Sequence, residues 1–173
     1  MNKLFAALLL SVIGMPLAAT AAIDETIRVK ETIEINAPAD KVWAVVGNFG
    51  DMSWHPAIAK TEITGGKNNE ADARRVLTLK DGGTINEVLT ARDDAGMTMK
   101  YDITESVLPV REYSATIQVQ SADGKTTVLW KSMFKRKDPA NPPAAGQDDK
   151  TAKDTITNIF KTGLENLKKS VEK

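Results

Sequence analysis

The chain has 173 residues, with 23 lysines and arginines against 23 aspartates and glutamates, and no cysteine. That length suits one domain with a sizeable core. The charge balance gives no case for wholesale nucleic-acid binding, and without cysteine there is neither a disulfide framework nor a thiol to acylate.

The chain opens "MNKLFAALLLSVIGMPLAATAA". Lys3 gives a positive start, Leu4 to Ile13 a short apolar run, Pro16 a break and Ala19-Thr20-Ala21 a small-residue cleavage site. This layout predicts a secretory signal peptide over residues 1–21, too short in its apolar part to span a bilayer comfortably. Residues 22–173 then form a single domain, expected in a bacterial periplasm and free of the membrane after cleavage.

"TIRVKETIEINA" alternates, with Ile27, Val29, Ile33 and Ile35 on one face, and predicts a strand. Glu31 shares that parity, which suggests a rim or bulge. "PADKVWAVVGNFG" predicts a helix with Pro38 in its first turn and Gly47 and Gly50 at its exit. "MSWHPAIA" suggests one short helical turn, followed by a strand around "AKTEITG".

"ARRVLTLK" and "TINEVLTAR" read as a hairpin closed by a three-residue "DGG" turn. "MTMKYDITE", "EYSATIQVQ" and "TTVLWKSMFKRK" continue the alternation, the last with Val128, Trp130, Ser132 and Phe134 inward. After the proline-rich "DPANPPAAGQDD", apolar residues at 3–4 spacing from Ala152 to Val171 predict one long amphipathic helix, capped by Asp149.

An antiparallel sheet with one apolar face needs a cover, and only this helix is long enough. The expected architecture is α+β: a curved antiparallel sheet wrapped around a long C-terminal helix, with a cavity of a few hundred Å3 between them.

Within that frame Arg75 and Glu87 carry inward parity on the two hairpin strands. A three-residue turn sets Leu79 opposite Ile85 and Leu77 opposite Glu87, so Arg75 becomes the diagonal neighbour of Glu87. Charges on an apolar face should pair, because an unpaired buried charge costs several kcal/mol. The pair could orient a polar ligand group or be structural. A slip of one residue would send both side chains to solvent.

His55 is the single histidine. With no cysteine it lacks the partners of a zinc site, and no metal is expected. It is expected beside Trp54 at the cavity entrance, stiffened by Pro56. A catalytic base would need an orienting partner. Tyr101, Tyr113, Trp130, Phe134 and Phe160 are candidates for the cavity wall or for ordinary core. Lys135, Arg136 and Lys137 form a basic run that could dock an acidic partner or be a solvated strand end.

The strings "INAPADKVWAVVGNFGDMSWHPAIAKTEI", "RRVLTLKDGGTINEVL", "LPVREYSATIQV" and "TTVLWKSMF" resemble the START-like, helix-grip superfamily, which includes the polyketide cyclase/dehydrase group. They are most similar to its exported branch, which contains the methanol oxidation accessory protein MxaD. The resemblance implies a periplasmic, cofactor-free, non-enzymatic protein that assists methanol dehydrogenase and its cytochrome c partner. Two other functions remain open: a carrier of a lipid, quinone or aromatic compound, and a cyclase- or dehydratase-like enzyme using His55, Glu87 and Tyr101.

Overall fold

The computed structural model describes residues 25–173, and the expected signal peptide lies outside the described residues. Seven strands and two helices follow in the order β1 (Ile27–Ile35), α1 (Ala39–Val46), β2 (Ile58–Gly65), β3 (Arg74–Leu79), β4 (Thr84–Asp93), β5 (Thr98–Ser106), β6 (Val110–Ala122), β7 (Lys125–Arg136) and α2 (Asp149–Val171). The strands form one antiparallel sheet in the order β1-β7-β6-β5-β4-β3-β2. From β2 to β7 it is a meander. β1, the first strand in the chain, closes against β7, the last.

The α2 helix lies against β1 and β7 and fills the apolar side of the sheet. Its 3–4 spacing puts Ala152, Ile156, Phe160, Leu164, Leu167 and Val171 in the core, with Ile159 half-buried at its margin. Asp148 provides the N-cap, accepting from Thr151 N at 2.9 Å. The expected cap, Asp149, is one residue late and instead pairs with Arg136 at 3.0 Å. Similarly, Pro38 stands at the N-cap position of α1 rather than inside it. The segment around Trp54 is not helical. It makes two successive turns, His55 N to Met52 O and Ile58 N to His55 O.

The β3–β4 hairpin departs from the expected register. Thr78 pairs with Thr84, Leu77 with Ile85 and Arg75 with Glu87. The turn therefore takes Leu79 to Gly83, closed by Leu79 N donating to Gly83 O at 2.8 Å. Gly82 has the positive φ, 92°, that the turn requires. The two extra turn residues shift the ladder by two, which preserves parity. Arg75 and Glu87 therefore stay inward, but as directly opposed neighbours instead of diagonal ones.

Candidate functional site

Arg75 and Glu87 are 1% and 5% exposed, fully inside the sheet–helix layer. Arg75 Nε donates to Glu87 Oε2 at 2.6 Å, and Arg75 Nη1 donates to the Phe49 carbonyl at 2.6 Å. The guanidinium also sits 4.1 Å over the Phe49 ring, a cation–π contact. The loop after α1 thus supplies both an acceptor and a π face to the charge. Arg75 Nη2 is buried without a hydrogen-bond partner. Burial pushes the Glu87 carboxyl upward, against the opposing pull of the Arg75 charge and hydrogen bond.

Above this pair rises a ladder of aromatic groups. Trp130 Nε1 donates to the Tyr101 hydroxyl at 2.9 Å. The Tyr101 and Tyr113 rings are 6.5 Å apart, Tyr113 stacks on Phe134 at 5.7 Å, and Trp130 stacks on Phe160 of α2 at 4.2 Å with 15° between planes. Burial first, and the Glu87 charge among the lesser causes, raises both tyrosine pKa values. Both hydroxyls therefore remain protonated near neutrality.

His55 is 2% exposed and Trp54 4%, so both are interior residues. This corrects their expected place at an entrance. Ala57 N donates to His55 Nδ1 at 3.2 Å, and His55 Nε2 lies 3.0 Å from the Ile159 carbonyl. An acceptor at Nδ1 leaves the proton on Nε2, which then donates to α2. Burial lowers the imidazole pKa and outweighs the Ile159 hydrogen bond that raises it. Nearby, Asn166 donates to the Trp54 carbonyl at 2.8 Å. A Cβ on Gly163 would come within 2.4 Å of His55 Cδ2. The Trp54–His55 segment is thus pinned to α2, with the edge of the imidazole over a glycine.

A cavity of about 110 Å3 lies between sheet and helix. His55, Glu87, Tyr101, Tyr113 and Trp130 line it, along with aliphatic side chains of β3, β4, β5 and α2. Trp54, Arg75, Phe134 and Phe160 stand behind that lining and hold it. The volume corrects the expected few hundred Å3. The Trp130–Phe160 stack and the Tyr101–Tyr113–Phe134 series fill most of the space that a wrapped sheet would otherwise leave.

The run Lys135–Lys137 does not form a continuous basic surface. Arg136 is 9% exposed and bonds to Asp149 and to the carbonyls of Asp138 and Ala140, tying down the proline-rich loop. Lys135 pairs with Glu112 at 3.0 Å, and Lys137 Nζ donates to Ser106 O. Alternation explains this: the middle residue of a three-residue run in a strand must face the opposite way. Among the described residues no group of three or more His, Asp or Glu side chains is arranged to hold a metal.

Residues 26–172 match the family described as "Polyketide cyclase / dehydrase and lipid transport". The chain belongs to that family. No curated protein matches it. Among solved structures it is similar to XoxI from Bacillus cereus, at 26% identity and a TM-score of 0.72 over 83% of this chain and 94% of that one. An uncharacterised protein from Bacillus thuringiensis aligns at 27% identity and a TM-score of 0.73, over 85% of this chain and 100% of its own. Ginseng major latex-like protein 151 from Panax ginseng, at 12% identity and a TM-score of 0.69 over 84% and 97%, shares the fold. The helix-grip architecture read from the sequence is therefore the observed one.

Two contributors escaped the sequence reading. The Phe49 carbonyl is a backbone acceptor and carries no residue-type signal. Gly163 carries no chemical group to draw notice, although an interior helical glycine is itself a sign of close packing.

Proposed function

We propose that this protein is a non-enzymatic binding protein whose sheet–helix cavity holds one compact, largely apolar ligand. The cavity carries the reading. It is bounded mainly by apolar groups, with His55, Glu87 and the buried tyrosines as its few polar features. A volume of about 110 Å3 approaches the ~150 Å3 of an apolar cavity that accepts a single small ring. A lipid or quinone would require the aromatic filling to move. The Glu87 carboxylate is already matched by Arg75, so a neutral ligand with one hydrogen-bonding group suits the site better than an ion.

The cyclase-like alternative draws on His55, Glu87 and Tyr101 lining one cavity. Against it, both His55 nitrogens are engaged by backbone groups, and Glu87 is held by Arg75. Native mass spectrometry of protein purified from its own cells tests the binding reading. A retained small neutral molecule, lost when Tyr113→Trp fills the cavity, is expected. A ligand that survives that substitution would place binding elsewhere.

The biological setting we propose comes from the sequence strings: a periplasmic accessory of methanol oxidation, acting with methanol dehydrogenase and its cytochrome c partner. A pull-down from the native compartment should recover both. Recovery of neither would remove this setting while leaving the cavity reading to its own test.

A further inference from the structure

The outward face of the sheet carries a second feature. Across β1, β7, β6 and β5 the register aligns Lys30 with Lys131, Lys131 with Thr116, and Thr116 with Lys100. The adjacent row aligns Arg28 with Met133 and Met133 with Ser114. These residues line a groove of about 520 Å3. Arg28, Lys30, Lys100 and Lys131 are exposed, and none of the four is in an ion pair among the described residues. Some exposed lysines elsewhere are matched, Lys60 by Glu62, Lys67 by Glu70, Lys125 by Glu34 and Lys150 by Asp154, while, among the described residues, Lys80, Lys153, Lys161 and Lys169 are not, so the absence of ion pairs alone does not mark the groove.

Two observations make this more than a solvated face. First, Lys30 and Lys131 are direct cross-strand neighbours, an arrangement of like charges that destabilises a sheet. Second, no carboxylate lines the groove, although the chain as a whole is balanced. Asp102, opposite Ser114, stands just outside it.

We propose that this groove is the docking surface for an acidic protein segment, a loop or extended stretch bearing several carboxylates. Three strand spacings of about 4.8 Å set Lys30 and Lys100 ~14 Å apart, a reach that a chain of four or five extended residues covers. The charge complementarity points to carboxylates, and the Thr116 and Ser114 hydroxyls add hydrogen bonds between the cations. Met133, 45% exposed, offers one apolar contact beside the charged row. A protein is favoured over a membrane surface because the feature is a recess with a single exposed apolar side chain, whereas interfacial binding rests on an apolar face inserted among lipids. Three of the four cations are lysines, compact and strongly hydrated, so the contact is fast and salt-sensitive.

The test uses the full chain and a fluorescein-labelled hexaglutamate peptide, read by fluorescence anisotropy. Binding at low ionic strength is expected, with loss in about 1 M salt, where the screening length is ~3 Å. The variant K30E/K100E/K131E should weaken binding at least tenfold and retain the wild-type melting transition. The variant K150E/K153E/K161E, on the outward side of α2, makes the same charge change and should leave binding within twofold. Equal losses in both variants, or no binding to the wild type, would overturn the proposal. So would tighter binding to phosphatidylglycerol vesicles or to duplex DNA than to the peptide.

Discussion

At the residue scale the buried ion pair and the histidine make opposite demands on pH. Glu87 has a raised folded pKa, so its contribution declines as pH climbs above 4.5. His55 has a lowered folded pKa, so the unfolded chain binds the proton more tightly. Its contribution is present above about 6.5 and is lost as pH falls through that value toward the folded pKa. Urea melts of wild type should show stability falling on acidification there, with His55 contributing a slope of at most ~1.4 kcal/mol per pH unit. His55→Gln keeps a donor for Ile159 and should remove that slope. An unchanged slope would show that His55 does not titrate in the way its burial requires. For the pair, Glu87→Gln or Arg75→Met alone should cost about 3–5 kcal/mol, and the double variant less than the sum. Additive losses would count against coupling. Inward parity of Arg75 and Glu87 was legible from their apolar neighbours. Their register was not, because turn length depends on backbone geometry that "KDGGT" shares among several turn types. Similarly, the place of His55 was hidden: its two partners are main-chain groups of Ala57 and Ile159, the latter 104 residues away.

At the element scale α2 is the cover without which the sheet has no dry face. Phe160→Ala removes the ring stacked on Trp130 and should cost about 3–5 kcal/mol in chemical denaturation. A loss below about 1 kcal/mol would mean that the stack contributes little beyond an alanine contact. Gly163→Ala gives a sharper test, because helix propensity and packing oppose each other. Propensity alone favours alanine by ~1 kcal/mol. Here a Cβ would lie 2.4 Å from His55 and 3.0 Å from Trp130, so net destabilisation of about 1–3 kcal/mol is expected. A stabilised variant would show that His55 can withdraw from the helix without cost. The α2 helix was legible nearly to the residue because its 3–4 spacing is long and uninterrupted. The cap was misplaced because "DD" offers two equivalent acceptors side by side, and only the backbone conformation separates Asp148 from Asp149.

At the scale of the whole molecule, the sequence indicated how many strands there are and which residues face inward, but not how full the interior is. Cavity volume is the small remainder after large side chains have chosen rotamers, so one aromatic stack decides it. Of the two places open to Phe134 and Phe160, cavity wall or ordinary core, they take the second, as the backing that holds Tyr113 and Trp130 in place. The basic run also changed meaning in three dimensions. Lys135–Lys137 is divided between faces, while Arg28, Lys30, Lys100 and Lys131, scattered over three strands, assemble into one groove. Contiguity in sequence misled in the first case and concealed the second.

The closure of β1 against β7 has a consequence in time. Ile27 meets Phe134 and Asn36 N donates to Glu172 Oε1, so the earliest described segment finds its neighbours only near the end of the chain. As the chain emerges from a ribosome or a translocation pore, the meander can begin to form while its apolar face lacks a lid and β1 lacks a strand. Commitment to the native state therefore belongs to the last forty or so residues, and loop closure over most of the chain makes that step slow. Such a chain keeps its first part pliable until its last part arrives.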